Sequence, residues 1–289
     1  MASSSAIYEP NKTYEIDIHD VEYLREGDTV LQARIYEPKA PGPLPAIVYL
    51  HGGAWTSNDR TTNPAVPRGI AESGVLVCSL DFRQGADGPY PASSADINYA
   101  IRWLKLHAGD YNAVPETIGC AGSSSGGHLS LLAAMRPDDP RYTRIVLEEA
   151  PQIDASLAYA ISCTGVLDPW ARYVGAKREG NAAMVARHDD YFRSDEAQQE
   201  CSPVLILERG EQVQLPPALV VQGTADTTSP PQMVGYFASL YQSAGGQLEV
   251  AQFEGMPHTF WDWPPEQAQA AIGRIKEFIA DRVAAVRTA

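Results

Sequence analysis

The sequence is short of cysteine, of positive charge and of long apolar runs. Its four cysteines, Cys78, Cys120, Cys163 and Cys201, are scattered and form no CxxC pair, so they do not make a disulfide framework. We expect all four to be buried free thiols. Lysine and arginine number 22 against 36 acidic residues, and this balance excludes the cationic surface that a nucleic-acid-binding protein needs.

No apolar run reaches the roughly 18 to 20 residues that cross a bilayer. The first ten residues, MASSSAIYEP, lack the basic and apolar regions of a signal peptide. We therefore expect a cytoplasmic protein that does not bind membranes. Hydrophobic residues make up 44% of the 289-residue chain, which is enough for a sizeable core. The oligomeric state is left open, a homodimer included.

What the sequence does contain is an alternation of strand and helix patterns. An N-terminal hairpin pattern, DVEYLRE followed by VLQARIYEP, precedes short apolar runs such as AIVYL and GVLVCSLDF. Such runs are typical of parallel strands covered on both faces. Helical patterns lie between them, so the sequence predicts an α/β fold with a mostly parallel, doubly wound sheet. Ligands of such sheets bind beyond the carboxyl ends of the strands.

The segment 168–215 interrupts this alternation. It is long and has no clear strand, and its middle reads AKREGNAAMVARHDDYFRSDEAQQE, which is dense in charge. An insertion into one domain explains it better than a second domain does. We therefore predict that residues 1–289 form a single domain with a small cap at 168–215.

A candidate nucleophile lies in the sequence GSSSG at residues 122–126, which reads G-x-S-x-G. The strand pattern TIGCA runs straight into the helix pattern GGHLSLLAAM there. A tight strand-to-helix turn would hold the middle serine in a strained conformation with its hydroxyl exposed. Only residues without bulky side chains can flank such a turn, which explains Gly122 and Gly126. We predict that Ser124 is the nucleophile.

A serine hydroxyl needs a base, and the base needs an orienting carboxylate. Among the six histidines, His258 follows the strand pattern LEVAQFEG, at the carboxyl end of the last strand. Asp226 lies in the segment GTAD, which directly follows the strand pattern ALVVQ, and it is the predicted acid, with Asp168 and Glu254 as rivals. The chain order Ser124, Asp226, His258 is the order of the α/β-hydrolase fold.

The sequence HGGAW at residues 51–55 follows the strand pattern AIVYL. Hydrolysis of an acyl group passes through an oxyanion that preorganised donors must stabilise, and glycines let backbone N–H groups turn toward it. We predict that the amides of Gly53, Ala54 and Ser125 are these donors. Trp55 either lines the site or caps the core.

The HGG loop and the G-x-S-x-G turn resemble those of α/β-hydrolases in the hormone-sensitive-lipase-like carboxylesterase group, from about Asp20 to the C-terminus. The chain is similar in particular to the compact feruloyl-esterase-like and acetylesterase-like members. The resemblance implies an α/β-hydrolase fold: an eight-stranded, mostly parallel sheet with helices on both faces and a small cap insertion. Two motifs depart from the usual pattern, HGGA for HGGG and GSSSGG for GDSAGG, which favours a peripheral branch.

The sequence thus predicts a serine carboxylesterase that hydrolyses small short-chain acyl or aromatic esters through an acyl-enzyme intermediate. An amide-cleaving relative, a peptidase or arylformamidase, would use the same triad, whereas a non-catalytic receptor on this fold usually loses the histidine. The charged cap lacks the apolar lid of a lipase. No metal-ligand, phosphate-loop or dinucleotide pattern occurs, so we expect no metal and no cofactor. Four aromatic residues either line the substrate pocket or pack the insert onto the core: Trp55, Tyr90, Trp170 and Trp261.

Overall fold

One eight-stranded sheet organises the part of the chain that the computed structural model describes, residues 6–286 without the side chain of Trp261. The strands are β1 (Ile16–Glu26), β2 (Thr29–Pro38), β3 (Ala46–Leu50), β4 (Leu76–Leu80), β5 (Gly119–Ser123), β6 (Ala160–Cys163), β7 (Ala218–Gly223) and β8 (Leu248–Phe253). Their order is β1-β2-β4-β3-β5-β6-β7-β8. The pairs β1–β2 and β2–β4 are antiparallel and the others are parallel. The predicted hairpin and mostly parallel sheet are confirmed.

Helices cover both faces of this sheet. They are α1 (Ala65–Ala71), α2 (Ala92–His107), α3 (Ser125–Met135), α4 (Pro169–Arg178), α5 (Ala182–Phe192), α6 (Asp195–Glu200), α7 (Pro203–Glu208), α8 (Pro231–Ser243) and α9 (Pro265–Val286). The helices α1 and α9 pack on one face, and α2, α3 and α8 pack on the other. Within the described range, no helix is both long and apolar enough to span a membrane.

The central strands are buried on both sides, which explains their continuous apolar sequences. Every residue of β3, β4, β6 and β7 is buried. In β3, Val48 and Leu50 face the apolar cluster under α2, α3 and α8, whereas Ile47 and Tyr49 face the cluster under α1 and α9. All four cysteines are buried and free, as predicted, and burial raises the pKa of Cys78 to about 12.

The segment 168–215 contains the short helices α4 to α7 and no strand. Side chains cap the start of all four helices. The acceptors of the capping hydrogen bonds are Asp168 for the amide of Ala171, Asn181 for that of Met184, Ser194 for that of Ala197 and Ser202 for that of Leu205. Such N-caps stabilise a helix by about 1 kcal/mol each. A charged sequence without sustained apolar periodicity is therefore organised by local caps and by its attachment to the sheet.

The attachment of this cap is centred on Trp55, which is buried. The indole ring stacks on Tyr191, with ring centroids 5.7 Å apart, and meets Phe192 edge-on at 4.7 Å. Its Nε1 donates a hydrogen bond of 3.1 Å to Nδ1 of His128 on α3. Of the two roles open to Trp55 from sequence, the structure places it in the core, where it joins the cap to the sheet.

Two buried histidines in this cluster are held in their neutral forms. His128 accepts from Trp55 at Nδ1, and its Nε2 donates to the carbonyl of Cys201 at 2.9 Å. In His188, Nε2 accepts from Nε of Arg172 at 3.1 Å, and Nδ1 donates to the side chain of Gln198 at 2.6 Å. A second proton on either ring would face an existing N–H donor. Burial lowers the pKa of His128 from 6.5 to about 4. Burial, followed by the Arg172 charge, lowers the pKa of His188 to about 3.

Because the pKa values of these two histidines are lowered in the folded protein, we expect the protein to lose stability in mild acid. Their folded pKa values lie below the unfolded value of 6.5, so the unfolded chain binds more protons as pH falls through this range, and the free energy of unfolding decreases. We expect each histidine to cost about 2 kcal/mol between pH 7 and pH 5. Urea unfolding at the two pH values measures this change.

The variant His188→Gln should lose about half of this pH dependence. The matched control is His19→Gln, because His19 is exposed on β1 and should leave the dependence as it is. Equal free energies of unfolding for the unsubstituted protein at pH 5 and pH 7 would contradict the assignment.

Candidate active site

Ser124 lies in a strained turn between β5 and α3, with φ 53° and ψ −117°. The turn leaves no room for flanking side chains. A Cβ at Gly122 would lie 2.3 Å from the carbonyl oxygen of Gly126, and one at Gly126 would lie 2.2 Å from that of Leu50. Glycine is therefore required at both positions. Strained backbone of this kind costs about 1 to 3 kcal/mol and clusters at functional sites.

Hydrogen bonds from the neighbouring strand fix the strained serine. The amide of Ser124 donates to the carbonyl of Cys163, at the end of β6, over 2.9 Å, and the amide of Val166 donates to the carbonyl of Ser124 over 3.2 Å. The backbone around the hydroxyl is thus tied to the sheet on one side and begins α3 on the other. These two bonds use only the backbone of Ser124, so its hydroxyl remains free to bond other groups.

The structure brings together the three residues predicted as a triad. Oγ of Ser124 lies 2.8 Å from Nε2 of His258, and Nδ1 of His258 lies 2.9 Å from Oδ2 of Asp226. The Asp226 side chain is fully buried and that of His258 is 16% exposed. An imidazole that donates Nδ1–H to a carboxylate presents Nε2 as an acceptor. Nε2 can then take a proton from the serine hydroxyl.

Asp226 is oriented by donors from its own loop and strand. Its Oδ1 accepts from the amides of Thr228 and Ser229, each at 2.8 Å, and its Oδ2 accepts from Nε2 of Gln222 at 3.0 Å. Gln222 is buried and also donates to the carbonyl of Ser229 at 2.9 Å. Sequence reasoning missed Gln222. The available signal was a polar residue near the end of an otherwise apolar strand, four residues before the candidate acid.

The rival acids lie elsewhere. Asp168 accepts from the amide of Ala171 at 3.1 Å and from the hydroxyl of Ser202 at 3.0 Å, so it caps α4. Glu254 is exposed on the loop after β8. Neither carboxylate forms a hydrogen bond with His258 within the described residues.

The loop after β3 holds three consecutive residues at positive φ: Gly53 at 128°, Ala54 at 51° and Trp55 at 61°. A Cβ at Gly53 would lie 2.1 Å from the carbonyl oxygen of Ser57, so this position requires glycine. The alanine that departs from the HGGG pattern thus sits in a left-handed conformation that glycine adopts without penalty. The burial of Trp55 holds the next residue in place.

Three backbone N–H groups near the serine have no acceptor among residues 6–286. They belong to Gly53, Ala54 and Ser125, the predicted oxyanion donors. Ser125 is the first residue of α3, so its amide is one of the unpaired donors at a helix start, where the helix dipole favours negative charge. Unpaired amides of this kind can stabilise an anion that forms at the acyl carbon.

A cavity of about 370 Å³ opens beside these groups, and Gly53, Ser124 and His258 lie in its wall. The rest of its lining is largely apolar and comes from the start of α1, from the loop after His258 and from α9: Pro64, Ala65, Val66, Phe260, Ala268 and Ile272. Sequence reasoning did not single out these residues, because their role depends on how α1 and α9 pack beside the serine.

Three of the four aromatic residues predicted for the pocket lie elsewhere. Trp55 is in the core, and the hydroxyl of Tyr90 bonds that of Tyr142 at 2.6 Å and Glu200 at 2.5 Å. Trp170 lies beside Tyr173 on α4, with ring centroids 6.0 Å apart. The first two side chains pack the cap onto the sheet, and none of these three lines the cavity beside Ser124. The side chain of Trp261 lies outside the described residues.

Similar sequences are named as ester hydrolases. The chain is 27% identical over 245 residues to the probable carboxylic ester hydrolase LipM of Mycobacterium tuberculosis, which covers 83% of this chain and 55% of LipM. It is 27% identical over 229 residues to the esterase LipC of the same organism, covering 75% of this chain and 53% of LipC. The chain therefore spans about half the length of these curated relatives.

Similar solved structures include esterase 2 of Thermogutta terrifontis. Its form phosphorylated by paraoxon has a TM-score of 0.72 and 25% identity, over 91% of this chain and 94% of that one. Its butyrate-bound form has a TM-score of 0.71 and 25% identity, over 93% and 94%, and a propionate-bound form has also been solved.

The family described as BD-FAE matches residues 34–239. This match covers most of the chain, and it includes the loop after β3 and the turn that carries Ser124. The order and direction of the strands agree with the α/β-hydrolase fold of the structural neighbours. The resemblance to hormone-sensitive-lipase-like carboxylesterases is thus confirmed, and the chain belongs to the BD-FAE family.

Proposed function

We propose that this protein is a serine carboxylesterase. The observation that carries the proposal is the continuous hydrogen-bond chain from Ser124 through His258 to Asp226, at 2.8 and 2.9 Å. Its hydroxyl end lies in the wall of a cavity that also contains Gly53, whose amide is unpaired within the described residues. The names of the relatives and of the structural neighbours support the same reaction class.

In the first half of the reaction, Oγ of Ser124 attacks the ester carbonyl while Nε2 of His258 takes its proton. The carbonyl π electrons move onto oxygen, and the amides of Gly53, Ala54 and Ser125 stabilise that oxyanion. One such donor is worth about 2.7 to 4 kcal/mol in the transition state. When the tetrahedral intermediate collapses, the C–O bond to the alcohol breaks and His258 gives its proton to the departing oxygen.

In the second half, water replaces the alcohol. His258 takes a proton from the water, the hydroxide attacks the acyl-enzyme carbonyl, and collapse returns the proton to Oγ of Ser124. The buried Asp226 keeps Nδ1 protonated and stabilises the imidazolium that forms in both halves. Its other donors, from Thr228, Ser229 and Gln222, hold the carboxylate in place.

Small esters with short acyl chains are the proposed substrates. A cavity of about 370 Å³ lies at the lower end of the roughly 300 to 1,000 Å³ of small-molecule sites. The similar T. terrifontis esterase 2 has been solved with butyrate and with propionate bound. The segment 168–215 has a charged sequence, which argues against the apolar lid that a lipase needs at an oil interface.

Replacing the nucleophile tests the mechanism. Ser124→Ala should reduce kcat on p-nitrophenyl acetate by about 10⁴- to 10⁶-fold, because no hydroxyl remains to be acylated. An organophosphonate should add one equivalent of mass to the unsubstituted protein and to Ser123→Ala, but none to Ser124→Ala. Labelling that persists in Ser124→Ala would reject the assignment.

A pair of acid variants tests the orienting carboxylate. Asp226→Asn should lower kcat by about 10³- to 10⁴-fold, because an amide favours the wrong tautomer of His258. Asp168→Asn is the matched control: asparagine is as good an N-cap as aspartate, so α4 should persist and the change in kcat should stay within a few-fold. If Asp168→Asn is the crippling variant, the acid assignment is wrong.

The size of the cavity predicts the chain-length profile. Values of kcat/KM on p-nitrophenyl acetate through palmitate should be greatest at about two to four acyl carbons and fall beyond them, since each methylene that fits adds up to about 0.8 kcal/mol and each that does not fit clashes. A maximum at about eight carbons or longer would contradict this. Faster cleavage of matched p-nitroanilides than of the esters would favour the amide-cleaving alternative.

A further inference from the structure

Two arginines of the cap lie next to the proposed active site without a carboxylate partner. Arg172 is on α4 and Arg187 is on α5. Among the described residues, no aspartate or glutamate oxygen lies within salt-bridge distance of either guanidinium. The chain carries 36 acidic and 22 basic residues, so suitable carboxylates are abundant elsewhere. Both guanidinium groups therefore keep N–H donors that have no acceptor among the described residues.

Arg187 reaches the loop that carries the proposed oxyanion donors. Its Nη1 donates to the carbonyl of Gly53 at 3.2 Å, to Oγ1 of Thr56 at 3.2 Å and to Oγ of Ser57 at 3.3 Å. Its Nε and Nη2 have no partner among residues 6–286, and the side chain is exposed. Gly53 lies in the wall of the 370 Å³ cavity together with Ser124. The positive charge of Arg187 is therefore anchored at the rim of the site.

Arg172 lies deeper in the same region. Its Nε donates to His188, and its Cζ lies 4.8 Å from the centroid of a Trp55 ring. Its Nη2 is buried and has no partner in the described chain. Arg172 lines a second cavity of about 420 Å³. Gly165 lines this second cavity, and the preceding residue, Thr164, lines the cavity beside Ser124. The walls of the two cavities therefore include consecutive residues.

Both guanidinium groups contact the loop after β3, since Arg172 lies against the Trp55 ring and Arg187 donates to the carbonyl of Gly53. Burial, followed by the charge of Arg187, lowers the pKa of Arg172 to about 10, and the charge of Asp226 opposes this shift. Arg172 therefore stays charged at neutral pH. Two neighbouring cations with unpaired N–H groups repel each other, and a carboxylate between them would remove that repulsion and accept their hydrogen bonds.

The carboxylates that line the second cavity do not pair with these two arginines. They belong to Asp168 and Glu179, and Arg178 lines the same cavity. Asp168 already accepts hydrogen bonds from the amide of Ala171 and from Ser202, and Glu179 is exposed at the end of α4. Neither pairs with Arg172 or Arg187, so the two arginines remain available to a ligand.

We propose that Arg172 and Arg187 form a carboxylate-binding subsite that selects esters carrying a carboxylate, such as half-esters of dicarboxylic acids. The inference rests on the proposed function, since it concerns which esters reach Ser124. The negative group would lie between the two guanidinium groups while the ester carbonyl faces the amides of Gly53 and Ala54. The subsite thus gives an acidic protein a local attraction for acidic substrates.

Two pairs of substrates, each matched in size, test the subsite. Monoethyl succinate and ethyl succinamate differ by carboxylate against amide on the acyl side. Acetoxyacetate and acetoxyacetamide differ in the same way on the alcohol side. In at least one pair we expect kcat/KM to be about tenfold or more higher for the carboxylate. This preference should weaken as salt is added.

Variants then assign the preference to the two arginines. Arg187→Gln should lower the carboxylate-to-amide ratio of kcat/KM by about tenfold, and Arg187→Lys should restore part of it because the charge remains. Arg172→Gln should act in the same direction. Arg172 also packs on Trp55, so the exposed Arg187 gives the decisive measurement if that second variant is unstable.

The matched control is Arg193→Gln. Arg193 is an exposed cap arginine whose Nη2 donates to the carbonyl of Ala86 at 2.9 Å, and within the described residues it forms no hydrogen bond with the loop 53–57 that Arg187 contacts. Its substitution removes the same charge from the same cap and should leave the ratio unchanged. An equal fall of the ratio in Arg193→Gln would overturn the proposal, because general electrostatic attraction would then explain the preference.

Two further results would overturn the subsite while leaving the esterase proposal standing. One is a ratio near one in both pairs for a protein that hydrolyses the neutral esters. The other is an equal loss of kcat/KM on both members of each pair in Arg187→Gln, which would make Arg187 only a clamp on the loop. Failure of the proposed function itself looks different: p-nitrophenyl acetate and all four esters would resist hydrolysis, and the inference would fall with it.

Discussion

The rest of the site depends on the close approach of the turn after β5 to the end of β3. At that point the backbone of Gly126 leaves no space for a side chain against the carbonyl of Leu50. Parallel pairing places Leu50 beside Gly122 and Ser123 beside Cys163. Ser124 is thereby fixed against the loop that follows β3 and against the end of β6. The buried sheet supplies the rigidity that a strained serine needs.

The cap supports this arrangement from the other side. Three consecutive residues at positive φ, from Gly53 to Trp55, would not hold this conformation as an isolated peptide. The Trp55 ring is enclosed by aromatic side chains of α5 and bonded to His128 of α3, and Arg187 donates to the carbonyl of Gly53. The insert is therefore more than a cover, since it fixes the geometry of the loop that presents the unpaired amides.

Local patterns in the sequence were enough to predict the hairpin, the parallel strands and the placement of Ser124, Asp226 and His258. Continuous apolar runs and glycine-flanked turns are encoded within a few residues, so they can be read without knowledge of the tertiary structure. The walls of the cavity were not predictable in this way. Ala268 and Ile272 belong to an ordinary amphipathic helix, and only the packing of α9 beside the serine brings them to the site.

The aromatic residues show where local patterns leave two roles open, lining the pocket or packing the insert onto the core. Trp55 and Tyr90 stood near predicted strand ends, where pocket residues are expected, yet their rings pack the cap onto the sheet. Whether such a side chain lines the pocket or packs in the core depends on how the insert folds. The charged sequence of the insert does not predict that fold. His188 likewise stood in an irregular segment, and its pairing with Arg172 and Gln198 depends on helices that only local caps and packing define.

The positions of Ser124, Asp226 and His258 in the sheet have a consequence for how activity is lost. Ser124 follows the central strand β5, whereas Asp226 and His258 follow β7 and β8. Within the described chain β8 pairs only with β7, and after Leu248 its residues alternate between half-buried and exposed. Edge strands open by local fluctuations that cost less than global unfolding. Such opening would separate the imidazole from the hydroxyl while β5 stays intact, so inactivation and denaturation become two distinct events.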